Sequence, residues 1–254
     1  MRKGIILPLT VLIALLLPAI SGVYVLAQAE PLETIYKKEI DITGDGKKDL
    51  IEMIGVPFEK GTLFLKEIYV TAKTSEGKNI KIDFEGGYEP SLQIKDLDHD
   101  GVKDLFVGVA TGGSGGLSNY YLYSLKGSNL SDLTVPDPLT ISSTFENNYK
   151  ATIKLDDVGE SYQFNLSNRK KEYDRLGLYH NGKLNEPGEL MVFPFSTLKA
   201  VKVKGNKAGV KGVQRFSGVS NGDTIGFVES SWYLEDGKWK LINTSVQKTL
   251  EKKK

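Results

Sequence analysis

The sequence has 254 residues, with 33 lysines and arginines against 32 aspartates and glutamates, two histidines and no cysteine. A formal net charge of +1 provides no broad basic surface for binding nucleic acid. Without cysteine the chain cannot use disulfides, so its core or a bound metal must hold the fold together.

Residues 1–29 have the pattern of a secretory signal peptide. Two basic residues precede an apolar run that ends in the small-x-small site Ala27-Gln28-Ala29. Cleavage after this site predicts a secreted or cell-surface protein, and export without cysteine favours a bacterial one. The alternative is an uncleaved anchor, because the run approaches the roughly 20 residues that a membrane-spanning helix needs. We expect membrane contact only in that case.

Most of the remaining pattern is of the strand type and predicts an all-β fold of antiparallel hairpins, with few or no long helices. Apolar residues alternate over 68–72 and 80–84 around the turn Ser75-Glu76-Gly77, and a second hairpin turns near 157–160. Asn181-Gly182 and Asp236-Gly237 favour two-residue type I′ turns. One short helix is predicted within 168–178, ended by Gly177.

The register of the last hairpin follows from its two-residue turn. Leu234 should lie opposite Trp239, and Trp232 opposite Leu241, so that all four side chains share one face. Large apolar groups clustered in this way usually bury, and we expect this face to be core. The alternative is that the two tryptophans form an exposed platform for stacking sugars.

Pro136 and Pro138 interrupt both strand and helix patterns in the segment "LTVPDPL". The sequence therefore predicts a first β region over residues 30–135 and a second β-rich region over residues 136–254. The second region ends in the tryptophan hairpin and a basic tail.

Two acidic segments in the first region share one spacing. "DITGDGKKDL" begins at Asp41 and "DLDHDGVKDL" at Asp96, and both carry acids at positions 1, 5 and 9 and glycine at position 6. Position 3 is Thr43 in the first segment and Asp98 in the second. A tightly curled loop can direct such oxygens at one hard cation, and a glycine with positive φ turns the carbonyl of position 7 inward.

Calcium is the predicted ion, because magnesium demands a tighter octahedron and transition metals favour histidine or cysteine. With four acids against three, the second loop should bind more tightly, and His99 at its position 4 should face solvent. The alternative is a pair of metal-free turns rich in Asp and Gly. The candidate ligands are Asp41, Thr43, Asp45, the carbonyl of Lys47 and Asp49 in the first loop, and Asp96, Asp98, Asp100, the carbonyl of Val102 and Asp104 in the second.

The segments that flank the second loop are strand-like, which argues against a helical EF-hand even though Glu52 stands at position 12 of the first loop. A D-x-[DTN]-x-D-G-x-x-D-[LV] segment leading into an apolar strand resembles the FG-GAP and VCBS repeats of integrin-type propellers and exported bacterial proteins. The resemblance covers residues 38–125 and implies calcium at the ten positions above, with Thr43 as the one departure. The two acidic segments begin 55 residues apart, and no acidic loop begins at the next positions with this spacing, Ala151 and Asn206. We therefore do not expect a closed propeller in which every blade carries an acidic loop.

The glycine-rich segment 112–116 formally satisfies G-x-S-x-G around Ser114. A nucleophile elbow needs a helix directly after the serine, but Tyr121 and Tyr123 alternate with other residues in a strand pattern. His180, the one downstream histidine, stands beside a predicted turn. We therefore expect a glycine loop that joins two strands, or one that shapes a ligand-contact edge, with hydrolysis by Ser114 as the alternative.

Together these patterns predict a secreted, calcium-stabilised β protein that acts as a non-enzymatic structural or binding module at the cell surface or cell wall. The expected partners are calcium and a wall or surface polymer or protein, and not nucleic acid. The alternative is a secreted hydrolase that acts on wall or extracellular polymers through Ser114 or paired carboxylates.

Overall fold

A computed structural model describes residues 32–249 of the chain. Strands in antiparallel sheets account for most of these residues, and the all-β prediction is confirmed. Within the described part, no helix is long and apolar enough to cross a membrane. The predicted signal peptide, residues 1–29, lies outside the described residues.

Two four-stranded sheets of the same design form the first half of the described chain. The first has the order β1 (Glu33–Ile40), β2 (Asp49–Pro57), β3 (Leu65–Lys73), β4 (Asn79–Phe84). The second has the order β5 (Tyr88–Lys95), β6 (Asp104–Gly112), β7 (Leu117–Ser124), β8 (Ser131–Asp132). Ile40 pairs with Asp49 and Lys95 with Asp104. Each acidic segment is therefore the loop of the first hairpin of its sheet.

Three further sheets follow along the chain. A three-stranded sheet and a two-stranded ribbon are built from β9 (Ile141–Glu146), β10 (Lys150–Leu155), β11 (Glu160–Asn165), β12 (Tyr179–His180) and β13 (Lys183–Leu184). The last sheet is a meander of long strands, β14 (Met191–Lys204), β15 (Lys207–Ser217), β16 (Thr224–Glu235) and β17 (Lys238–Lys248). The helical segments of the described chain are α1 (Lys170–Arg175) and 3₁₀ turns at Lys126–Ser128 and Ser167–Arg169.

The hairpins predicted from periodicity and turn residues are confirmed. β3 pairs with β4, with Ala72 opposite Ile80, and β10 pairs with β11. Asn181 and Gly182 both have positive φ, +52° and +80°, as a type I′ turn requires. The short helix α1 is also confirmed, and Gly177 follows it with φ +74°.

The register predicted for the last hairpin is confirmed as well. Leu234 pairs with Trp239, and Trp232 pairs with Leu241. Trp232 and Leu234 are buried, and their two partners pack against the same hydrophobic cluster. The tryptophan face is therefore core and not an exposed platform.

The described chain has two hydrophobic clusters, and each acidic loop is anchored in one of them. The smaller cluster joins the first two sheets and holds Ile42, at position 2 of the first loop. The larger cluster holds Leu97, at position 2 of the second loop, together with side chains of the last sheet. Since this cluster contains residues from both sides of the boundary placed at residue 135, the separation into two regions stays a prediction.

Candidate metal site in the second acidic loop

Both acidic loops have the backbone shape that their glycines predict. Gly46 and Gly101, at position 6 of each loop, have φ of +80° and +89°. The loops also touch one another, because a Cβ added at Gly44 would lie 2.6 Å from Cγ2 of Val102. The two candidate sites are therefore neighbours, at equivalent ends of two similar sheets.

The second loop brings three of its four carboxylates together. One oxygen from each of Asp96, Asp98 and Asp104 lies within 4.8 Å of the others. Asp104 is completely buried, and its Oδ2 accepts a hydrogen bond from the amide of Leu97 at 2.7 Å. Oδ1 of Asp104 and Oδ1 of Asp96 are both inaccessible to solvent, and neither has a hydrogen-bond partner among residues 32–249. Two acids of the cluster therefore each have a buried oxygen that no group in the described chain donates to.

The pKa values of these acids reflect how poorly the protein alone supports their charge. Burial raises the pKa of Asp104 from the ordinary 3.8 to about 7, and the neighbouring charges of Asp98 and Asp96 act in the same direction. Burial likewise raises the pKa of Asp98. Carboxylates in this arrangement repel one another, and a bound cation would relieve both the repulsion and the cost of burial. The geometry thus fits a hard cation held by oxygen.

Asp100, at position 5, is paired differently. Its Oδ2 lies 2.9 Å from Nζ of Lys126, and its Oδ1 accepts a hydrogen bond from the amide of Val102 at 2.8 Å. Burial alone would raise the pKa of Asp100, but the Lys126 ammonium and the Val102 amide outweigh it and hold the pKa below its ordinary value. This predicted ligand therefore has a positively charged partner from the protein itself.

In the first loop, in contrast, Asp41 and Asp45 have hydrogen-bond donors in the loop backbone and in Ser75. Asp41 accepts hydrogen bonds from the amides of Gly44 and Gly46, at 2.7 and 2.9 Å. Asp45 accepts one from the amide of Lys47 at 2.8 Å and one from the hydroxyl of Ser75. Both oxygens of each carboxylate are therefore occupied, and these hydrogen bonds lower the pKa of Asp45, with that from Ser75 the largest contribution.

The buried acid of the first loop is also fully satisfied. Asp49, at position 9, is as completely buried as Asp104. Its Oδ1 accepts a hydrogen bond from the amide of Ser75 at 2.8 Å, and its Oδ2 accepts bonds from the amides of Ile42 and Thr43 and from the Thr43 hydroxyl. The hydroxyl of Thr43, a predicted ligand, thus donates to a neighbouring carboxylate in this structure.

Sequence reasoning missed Ser75 and Lys126, which stand at corresponding places in the two sheets. Ser75 is the second residue after β3, and Lys126 is the second residue after β7. Each reaches Oδ2 of the acid at position 5 in the loop beside it. Neither belongs to the acidic motif, so only the pairing of the strands reveals the correspondence.

The expectation that His99 faces solvent is wrong. Its ring stacks on Tyr233, with centroids 4.5 Å apart and planes inclined by 18°. Its Nε2 is inaccessible to solvent and has no hydrogen-bond partner in the described part of the chain. His99 has φ of +65°, and Tyr233 belongs to β16, far along the sequence, so the contact could not be read from the loop alone.

The glycine segment around Ser114 is the loop between β6 and β7, and the predicted strand after it is confirmed. The Ser114 hydroxyl accepts a hydrogen bond from Nδ2 of Asn221 at 2.8 Å. Arg215 donates to the carbonyls of Ser114 and Gly115, at 3.2 and 3.0 Å. Among residues 32–249, no imidazole or carboxylate is hydrogen-bonded to this serine, and its surroundings are those of a loop held against the last sheet.

Comparison with known proteins gives a family match in the second half of the chain and a relative over most of its length. Residues 139–247 match the family model of the YybI C-terminal domain. The chain is also 29% identical over 203 residues to an uncharacterized protein, YybI of Bacillus subtilis strain 168, an alignment that covers 75% of each chain. The similarity favours a bacterial protein and assigns no activity.

Solved structures resemble the chain only distantly. Rhamnogalacturonan lyase YesW and the exotype rhamnogalacturonan lyase YesX are each 15% identical to it, and the Bacillus licheniformis rhamnogalacturonan lyase PL11 is 13% identical, all with a TM-score of 0.37. These alignments cover 85–86% of this chain but only 34–36% of the lyases. The chain therefore spans about a third of the length of these structures.

Proposed function

We propose that the chain is an exported, calcium-binding β protein of the FG-GAP or VCBS type, acting as a structural or binding module at the cell surface or cell wall. The observation that carries the proposal is the pair of buried carboxylate oxygens, Oδ1 of Asp96 and Oδ1 of Asp104, which have no partner within residues 32–249. Buried acceptors of this kind are costly unless something donates to them or binds them. Asp96 and Asp104 belong to a cluster with Asp98 in which one oxygen of each lies within 4.8 Å of the others, and a cation held by this cluster would offset the cost of burying them.

The chemistry of the donors favours calcium. Asp96, Asp98 and Asp104 offer hard oxygen ligands, and the carbonyl of Val102 is the further ligand that the loop pattern predicts. A transition metal would favour a histidine ligand, but the histidine of this loop, His99, stacks on the ring of Tyr233. An extracellular calcium module needs only a dissociation constant on the order of 10⁻⁴–10⁻³ M. Calcium would then stabilise the fold in proportion to its occupancy.

The first loop is proposed as the weaker site. Its five predicted ligands lie between Asp41 and Asp49, and three of them are carboxylates. All six oxygens of these carboxylates already accept hydrogen bonds from the protein. A cation there would have to share those oxygens with their donors or displace them. This loop should therefore hold its shape without metal.

Hydrolysis by Ser114 is not part of the proposal, because its hydroxyl is hydrogen-bonded to an asparagine and not to a base. The location is supported by the signal-peptide pattern of residues 1–29. The proposed partner is a wall or surface polymer or protein.

The test is calorimetric titration of calcium into the purified full chain after treatment with a chelator. We expect saturable binding that Asp98→Asn weakens at least tenfold, because this change removes one charged ligand from the cluster and leaves its size unchanged. Asp83→Asn, which removes an exposed carboxylate outside both loops, is the matched control. Absence of binding, or equal weakening by both substitutions, would overturn the proposal.

A further inference from the structure

We infer that Lys126 sets the calcium affinity of the second loop by competing with the ion for Asp100, an inference that rests on the proposed calcium site. The ammonium of Lys126 lies 2.9 Å from Oδ2 of Asp100, the acid at loop position 5. It thus occupies an oxygen of a predicted ligand and places a positive charge beside the three clustered carboxylates. Lys126 is outside the acidic motif and comes from a different strand connection.

The backbone holds Lys126 beside the site. The residue begins a 3₁₀ turn, Lys126–Ser128, in which Gly127 has φ of +61°. The amide of Gly127 donates to the carbonyl of Thr43 in the first loop at 2.8 Å. Because the turn is tied to one acidic loop while its lysine pairs with the other, the ammonium is positioned by the fold and not only by attraction to Asp100.

The first sheet provides a comparison within the same protein. At the corresponding place, Ser75 donates its hydroxyl to Oδ2 of Asp45. Serine supplies a hydrogen bond without a charge, whereas lysine supplies both. The connection after the third strand of each sheet therefore contacts the same loop position, but the contacting residue is neutral in the first sheet and a cation in the second.

The electrostatic consequence is reduced affinity. The carboxylates of the second loop attract a divalent ion, and one nearby ammonium cancels part of that attraction. If calcium recruits Asp100, the lysine must leave that oxygen. If calcium is held by Asp96, Asp98 and Asp104 alone, the ammonium still repels it. Either arrangement predicts that removing the charge of Lys126 tightens binding.

The experiment compares Lys126→Gln and Lys126→Ser with wild type by calcium calorimetry on the full chain. We expect both variants to bind about two- to fivefold more tightly, since half-exposed ion pairs have modest strength, and the gain should shrink as salt is raised. Lys126→Arg keeps the charge and should show no such gain. The control is Lys154→Gln, which removes one charge from a pair with Asp156 at similar exposure, 53% against 56% for Lys126.

Unchanged or weaker binding by Lys126→Gln, with wild type binding calcium, would overturn the role of Lys126 while leaving the calcium site intact. Equal tightening by Lys154→Gln would also overturn it, because the effect would then come from net charge. If neither wild type nor Lys126→Gln binds calcium, the proposed function itself fails.

Discussion

The loop at residues 41–49 and the loop at residues 96–104 join corresponding strands of two similar sheets. They differ in how many of their carboxylate oxygens accept hydrogen bonds from the protein. In the first loop the protein donates to every carboxylate oxygen, largely through its own amides and Ser75. In the second loop Oδ1 of Asp96 and of Asp104 are left without a donor in the described structure. The same spacing of acids thus gives one loop whose carboxylate oxygens all accept hydrogen bonds from the protein and one with two buried oxygens that lack a donor in the described residues.

The comparison between the two position 9 acids shows where the difference originates. Asp49 and Asp104 are both fully buried, but the amide of Ser75 reaches the second oxygen of Asp49, and no described group does so for Asp104. A loop motif fixes the shape of the backbone. The neighbouring turn decides whether the second oxygen of the buried acid has a hydrogen-bond donor.

The largest effect that would test this comparison is a pH dependence of the cation-free protein. The pKa of Asp104 is raised to about 7, so between about pH 4 and pH 7 the folded chain holds a proton that the unfolded chain has lost. Stability should therefore fall as the pH rises through this window, by an upper bound of roughly 4 kcal/mol. Urea unfolding in chelator should show wild type losing stability relative to Asp104→Asn as the pH increases. A constant difference between the two proteins would contradict this account.

Removal of calcium should have the next largest effect. At a calcium concentration of about 100 times the dissociation constant, binding stabilises the folded state by roughly 2.7 kcal/mol. For a chain of this size that corresponds to several degrees in Tm. This shift in Tm is measured by thermal unfolding of the purified protein with calcium and with chelator. Identical melting temperatures in the two conditions would be evidence against a metal site.

The contrast between the loops can be measured through their position 5 acids. Asp100→Ala should remove more calcium-dependent stability than Asp45→Ala, by about 1 kcal/mol, because Asp100 belongs to the loop with more carboxylates and unpaired oxygens. The measurement is the difference in Tm with and without calcium for each variant. The opposite order would show that the first loop is the stronger site.

The smallest expected effect concerns Tyr233, on which His99 stacks. Tyr233→Ser should weaken calcium binding by about two- to tenfold, since an aromatic contact contributes roughly 0.5–1.5 kcal/mol and the stack helps to position the second loop. Tyr233→Phe keeps the ring and serves as the matched control. Equal calcium affinity in both variants would mean that the stack does not contribute to the site.

Features that depend on neighbouring residues were predictable from the sequence. The Asn-Gly and Asp-Gly turns, the register of Trp232 and Leu234, and the positive φ of Gly101 follow from local chemistry and are present in the structure. The spacing of the acids likewise predicted which carboxylates share a loop.

Features that depend on distant contacts were not predictable. Ser75, Lys126 and Tyr233 reach the loops only because strands far apart in sequence pair or pack together. The outward orientation predicted for His99 failed for the same reason, since Tyr233 of β16 provides the surface on which its ring lies. A single sequence cannot place such partners, and they are what distinguishes the two loops.

The most direct test of the calcium site is a crystal structure of the full chain grown with calcium, with anomalous diffraction used to locate the ion. We predict a peak in contact with oxygens of Asp96, Asp98 and Asp104, stronger than any peak in the loop at residues 41–49. A peak confined to the first loop, or none in either loop at saturating calcium, would contradict the account.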